Sequence, residues 1–221
     1  MGHTGQYPPA THAVTTLGFK WDEDGGVPVF RNAAFIQALK DKNLYDESVI
    51  ILAGDHGEMN GRWGLIDKGV YLYPDVLRTP MIVKMPSSAN IRPQSIDAPV
   101  SLLDIAPTLL SVAGIEPDAW LDGQSLIPLM QGKTPPTDRD MIFSCGWHVG
   151  VNFACGVQHW DGKGNHHLYA YNTSSNVDEL YDLNAAEAEN LAQDPQYAKL
   201  RRQMIERLGT LLRADSRWEG Y

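Results

Sequence analysis

The stretch that decides the reading is Val49 to Lys68, "VIILAGDHGEMNGRWGLIDK". With Ser48 in front, it opens on a short apolar run rich in β-branched residues. Such a run predicts a strand buried on both faces, as in a parallel sheet. The run stops at Gly54 and is followed by Asp55, His56 and Gly57, then by a polar, glycine-rich loop that closes on Asp67, Lys68 and Gly69. In open α/β sheets, ligands bind in the crevice at the carboxyl ends of strands, where Asp55 and His56 would lie. Both can reach one ion only if the chain bends after Gly54, and glycine permits the bend. A carboxylate suits a hard divalent cation, and an imidazole tilts the choice towards manganese or zinc. Lys68 adds a mobile positive charge that could hold an anion or a developing oxyanion. Taken alone, Asp-His-Gly favours a plainer reading, with Asp55 as a helix cap and His56 in a local hydrogen bond, and only its surroundings sharpen the signal.

Working outward, Phe35, Ile36 and Leu39 mark one face of a helix ending near Asn43. "TPMIVKMP" (79–86) reads as a second strand with a proline near each end. "SLLDIAPTLLSVAG" (101–114) reads as a helix in which Ser101 and Asp104 pair as a cap, Pro107 starts a second segment and Gly114 stops it. "SLIPLMQG" (125–132) is a further short helix. This order predicts a layered α/β domain over residues 1–134. Composition shifts at "QGKTPPTDRD" (131–140). Residues 135–221 predict a small C-terminal subdomain. Short β-like runs punctuated by Gly and Asn suggest antiparallel hairpins, and Tyr197, Leu200, Met204, Leu208 and Leu211 form one apolar helix stripe.

Composition narrows the function. The 221 residues carry a formal net charge of -9 and a sequence pI near 5.1. That argues against nucleic acid or an anionic membrane surface as the main partner. No run approaches the ~18 apolar residues of a membrane span. The first residues show no basic and apolar leader pattern, and the location of the protein stays open. Cys145 and Cys155 are read as two buried thiols, with a hairpin-closing disulfide as the other option. His159, His166 and His167 with Asp161 match no standard metal spacing and read as a polar hairpin turn. Glu58 reads either as a support for the site or as an exposed loop carboxylate.

Five separated segments resemble the sulfatase family of the alkaline-phosphatase superfamily. They are "AGDHGEMNGRWGLIDKG" (53–69), "LRTPMIVKMP" (77–86), "SLLDIAPTLLSVAGI" (101–115), "DGQSLIPLMQG" (122–132) and "DELYDLNAAEAENLA" (178–192). "GHTGQYPP" (2–9) is similar to a sixth, a stretch in which the family's histidine contacts sulfate. The resemblance implies an alkaline-phosphatase-like layered α/β/α domain, here truncated, followed by a small antiparallel sheet with a helix. It implies Asp55 and His56 as ligands of a divalent metal, calcium first, with manganese or magnesium as alternatives. Lys68 and His3 would bind and activate a sulfate ester, the substrate. A formylglycine nucleophile is implied in the part that precedes this sequence.

The sequence also departs from the family. Trp63 stands where many members carry His. No proline has Cys or Ser two residues before it, so the C/S-x-P-S/A-R motif that becomes formylglycine is absent, and so is any Asp-Asp pair. The expectation is therefore the C-terminal half of a sulfatase, inactive by itself. Its partner would be an N-terminal half-chain, or a second copy meeting an exposed sheet edge. Two alternatives stand beside it: a phosphoesterase or phosphonate monoester hydrolase of the same superfamily, and a non-catalytic assembly module that keeps the fold.

Overall fold

The computed structural model describes residues 13–14, 27–59, 61, 64–65, 69, 71–133, 138–146, 153–173, 175–185 and 189–215. The chain divides into two compact units, residues 1–54 with 80–134, and residues 55–79 with 135–221.

In the first unit, helix α1 (Val27–Asp41) precedes strand β2 (Ile50–Ala53), and Asn43 closes the helix at a positive φ of 54°. The sheet runs β1 (Ala13–Val14), β3 (Met81–Lys84), β2, with β1 parallel to β3 and β2 antiparallel to it. Strand β2 is thus a strand, as its sequence predicts, but it is neither parallel to its neighbour nor buried on both faces. It has β3 alone beside it among the described residues, and Leu52 remains 37% exposed. The centre of the sheet is β3, where Met81 and Val83 are buried. Lys84 reaches back from β3 and donates to the carbonyls of Tyr45, Asp46 (2.9 Å) and Ser48 (3.0 Å), tying the loop after α1 to the sheet.

Two of the matched segments are joined here by a buried polar network. Ser101 and Asp104 form the expected capping box over a short 3₁₀ turn (Leu102–Asp104), which leads into α3 (Ile105–Val112). Gly114 stops that helix with φ +72°. The Asp104 side chain, fully buried, accepts from the Ser101 amide at 2.8 Å and from the Gln124 amide at 2.9 Å. Thr108 donates to the Asp104 carbonyl (2.6 Å) and accepts from the Leu126 amide (2.9 Å) just before α4 (Ile127–Met130). Gly123 fits because a Cβ there would stand 1.9 Å from the Leu103 carbonyl oxygen.

The second unit holds an antiparallel sheet in the order β4 (Arg139–Gly146), β5 (Phe153–Trp160), β6 (His166–Asn172), β7 (Val177–Asp182). Its period-2 alternation sends Val157, Tyr169 and Leu180 to one face, where they pack on Met204 and Leu208 of α5 (Ala198–Ala214). Tyr197, Leu200 and Leu211 complete the predicted stripe. The opposite face is also covered. Leu168, Tyr181 and Leu183 pack on Tyr73 and Leu77, and Ala154 and Ala170 pack on Leu72. Asn190 finishes the edge, its side-chain oxygen accepting from the Leu180 and Ala192 amides, both at 3.0 Å. Cys155 is a free, half-buried thiol, and burial pushes its pKa up. No helix among the described residues is long and apolar enough to cross a membrane.

Candidate active site

Chain direction changes where β2 ends. The Gly54 amide makes one last bond to the Pro80 carbonyl (3.1 Å), and the backbone then turns. The Asp55 carboxylate folds over the next peptide and accepts from the His56 amide at 3.0 Å, leaving its side chain 90% exposed. The His56 Nδ1 lies 2.8 Å from the Gly57 carbonyl oxygen. A carbonyl only accepts, so this contact selects the tautomer with the proton on Nδ1. The Nε2 lone pair is left on the side of Asp55, 3.7 Å from Oδ2. Glu58 lies on the other edge of the ring, its Oε1 3.7 Å from Nδ1, with a side chain 44% exposed.

Gly57 is held against a single helical turn, α2 (Pro74–Leu77). Its amide donates to the Val76 carbonyl at 2.7 Å. A Cβ at this position would stand 1.9 Å from the Asp75 carbonyl oxygen and 2.4 Å from that of Arg78. No other residue allows so close an approach, which explains the glycine after Asp-His. Met59, 2% exposed, anchors the chain just beyond. Gly61 and Gly64, both at positive φ, close a tight turn in which Gly61 donates to the Leu65 carbonyl at 2.8 Å.

The turn is mounted on β7. Arg78 donates to the Leu183 carbonyl at 2.9 Å. Tyr73 stacks on Tyr71 (centroids 5.2 Å apart) and meets Tyr181 edge-on at 6.4 Å. Both Tyr73 and Tyr181 hydrogen-bond to Glu179. Burial, with the Glu179 charge beside it, pushes Tyr73 up to about 12, so its phenol is a proton donor at any physiological pH.

Of the four residues the sequence assigns to the site, the structure brings Asp55 and His56 together. His3 and Lys68 lie outside the described residues, as does Trp63. The histidines of the C-terminal sheet belong to other constructions. Asp161 closes the β5–β6 turn, bonded by the Asn165 side chain and by the Lys163 (2.7 Å) and Asn165 (3.0 Å) amides; these bonds, Asn165 first, hold its carboxyl at about 2. His159 pairs with Asp140 at 2.9 Å, and Asp140 also pairs with Arg207 of α5 at 2.6 Å. Sequence reasoning missed Tyr73 and Glu179. Their one signal is that Leu168 and Ala170 make the second face of β6 apolar too, which calls for a cover.

Asp55 and His56 fit a divalent cation as part of a ligand set. The Nδ1 bond to a backbone carbonyl is the usual support for a metal-binding imidazole. Ligands at about 2.4 Å that subtend a right angle stand about 3.4 Å apart, close to the 3.7 Å between Nε2 and Oδ2. Among the described residues, no group of three or more His, Cys, Asp or Glu side chains converges to complete a metal site. Calcium takes about 6–8 oxygens, more than these two side chains offer.

Residues 61–214 match the family described as "N-sulphoglucosamine sulphohydrolase, C-terminal", and the chain belongs to it. It is 26% identical over 210 residues to a Delta 4,5-hexuronate-2-O-sulfatase of Bacteroides thetaiotaomicron, covering 88% of this chain and 43% of that protein. A solved protein of B. thetaiotaomicron described as a sulfatase has a TM-score of 0.68 at 23% identity, over 82% of this chain and 39% of that one. A phosphonate monoester hydrolase from Silicibacter pomeroyi has the same fold, with a TM-score of 0.62 at 24% identity over 80% and 38%. The chain spans less than half the length of these relatives.

Proposed function

We propose that this chain is the C-terminal part of a sulfuric ester hydrolase, and that it contributes Asp55 and His56 to a divalent-metal site and Lys68 and His3 to the sulfate site. The observation that carries the reading is the His56 ring, whose Nδ1 is bonded to the Gly57 carbonyl (2.8 Å) and whose Nε2 faces the Asp55 carboxylate. Calcium is the first choice of metal, because the donor that is most exposed is a carboxylate oxygen.

When bound, the metal would neutralise the charge on the ester's oxygens. This chain's own residues would make the following contributions. His56 bonds through Nδ1 to the Gly57 carbonyl and turns Nε2 towards Asp55, and Asp55 presents an exposed carboxylate. The Lys68 ammonium binds sulfate and stabilises charge on the departing oxygen, and His3 contacts the sulfate or hands a proton to the leaving group. The nucleophile must be supplied by sequence outside this chain, which contains no C/S-x-P-S/A-R motif. A phosphonate or phosphate ester is the competing substrate class, and the fold shared with a phosphonate monoester hydrolase keeps it in the test.

Calcium and manganese titrations of the chain should give weak binding that Asp55→Asn and His56→Ala abolish. Combining the chain with an N-terminal segment bearing the nucleophile motif should yield hydrolysis of an aryl sulfate in preference to an aryl phosphonate, with Lys68→Ala lowering the rate sharply. Equal metal binding by the two variants, or an unchanged rate in Lys68→Ala, would refute the assignment.

A further inference from the structure

We propose that Glu179 of β7 is a positioning residue for His56, acting through Tyr73 and the turn α2; the inference rests on the reading of His56 as a metal ligand. The path is a series of directional bonds within one compact unit. The half-buried Glu179 carboxylate accepts from the hydroxyls of Tyr73 and Tyr181. Tyr73 is the N-cap of α2, and its carbonyl accepts from the Val76 and Leu77 amides, both at 3.0 Å. The Val76 carbonyl accepts from the Gly57 amide at 2.7 Å. The Gly57 carbonyl in turn faces Nδ1 of His56 at 2.8 Å. Each link fixes an orientation as well as a distance, because a carbonyl can point one lone pair at only one place.

A half-buried carboxylate is a costly way to hold a tyrosine if packing were all that was needed. Tyr73 already has its ring between Tyr71 and Tyr181, beside Leu168 and Leu183. What Glu179 adds is a single acceptor for two phenols, and this sets where the Tyr73 ring, and so its backbone, comes to rest. Desolvation raises the Glu179 pKa, and the bonds from the Tyr181 and Tyr73 hydroxyls oppose that rise. Arg78, bonded to the Leu183 carbonyl, fastens the far end of α2 independently. Loss of the Glu179 link should therefore loosen the turn without unfolding the sheet.

The test uses the full chain with Tyr73→Phe, Glu179→Ala and Glu179→Gln. Readouts are hydrogen exchange at the Gly57 amide, the His56 ring nitrogen shifts that report its tautomer, and broadening of the ring signals by Mn²⁺. Tyr73→Phe and Glu179→Ala should speed Gly57 exchange about tenfold or more, mix the two His56 tautomers and weaken the Mn²⁺ effect, while β5 and β6 amides stay protected. Glu179→Gln, which keeps an acceptor oxygen, should restore most of all three. Unchanged Gly57 exchange and ring shifts in Tyr73→Phe would overturn the proposal, even if Glu179→Ala failed to fold. So would failure of Glu179→Gln to restore them. A His56→Ala control separates the two claims: if Mn²⁺ acts on the 55–59 signals as before in that variant, the metal reading fails, while the exchange and tautomer results still judge the positioning.

Discussion

Replacing Asp104 with alanine tests how the first unit is held together. The carboxylate is fully buried and accepts two backbone amides, Ser101 at 2.8 Å and Gln124 at 2.9 Å. Alanine removes both acceptors at once. Water cannot easily replace them at Gln124, because the neighbouring Gly123 backbone lies so close to the Leu103 carbonyl that even a methyl group would not fit. A buried donor left without a partner costs about 1–3 kcal/mol. The Gln124 amide should cost near the upper end, and the Ser101 amide, at a half-exposed position, near the lower. The sum is a loss of about 3–4 kcal/mol, a large share of the stability of an ordinary domain. Asp104→Asn should recover about half, since its amide nitrogen must face one of the two donors. Urea unfolding followed by circular dichroism measures the loss, and hydrogen exchange at Gln124 and Leu126 locates it. A loss below about 0.5 kcal/mol, the range of a neutral surface change, would refute the reasoning. Unchanged protection at Gln124 would do so as well.

Two other outcomes follow from the same geometry. His166 is held near 4 by burial first, then by the positive charges of Arg78 and His167. Its folded pKa lies below the unfolded value of 6.5, so the unfolded chain takes up a proton that the folded chain refuses. Stability is full above about pH 6.5 and falls as pH drops towards 4. At about 1.4 kcal/mol per pH unit, and discounted for partial exposure, the loss is on the order of 2 kcal/mol. His166→Gln should flatten the denaturation midpoint between pH 4 and 7, and an unaltered pH profile would count against it. Among the described residues β2 pairs with β3 alone and Leu52 is 37% exposed, while Phe35 of α1 is 59% exposed; these apolar surfaces should make the isolated chain self-associate. Leu52→Lys should reduce the mass seen by light scattering, and a monodisperse wild-type monomer would contradict the expectation.

Much of this architecture is readable in the chain before any coordinates are seen, and the reasons are local. The capping box at Ser101 and Asp104, the stop at Gly114 and the α5 stripe are all set by neighbours a few positions away. Asp55 and His56 stand out as candidates because an apolar run ending in Gly-Asp-His-Gly is a local pattern too. Strand β2 misled for an equally physical reason. Its composition predicts burial on both faces, yet composition cannot say which neighbours are present or in which direction they run. Tyr73 and Glu179 were invisible because they meet across more than a hundred residues of sequence, and neither falls in a pattern with a period. The alternation in β6 carried a hint, since Leu168 and Ala170 are as apolar as Tyr169 on the other side. A strand greasy on both faces requires two covers, and α5 is only one.

The turn bearing Asp55 and His56 packs with residues 135–221, which leave the ribosome after it. During synthesis that turn must therefore wait, without its supporting sheet, until β6 and β7 have emerged. A premature stop after Pro136, or a frameshift there, would spare Asp55, His56 and Lys68 and still leave their turn and α2 without the sheet they pack on. Damage of that kind should be read as loss of the proposed site, although Asp55 and His56 are still encoded.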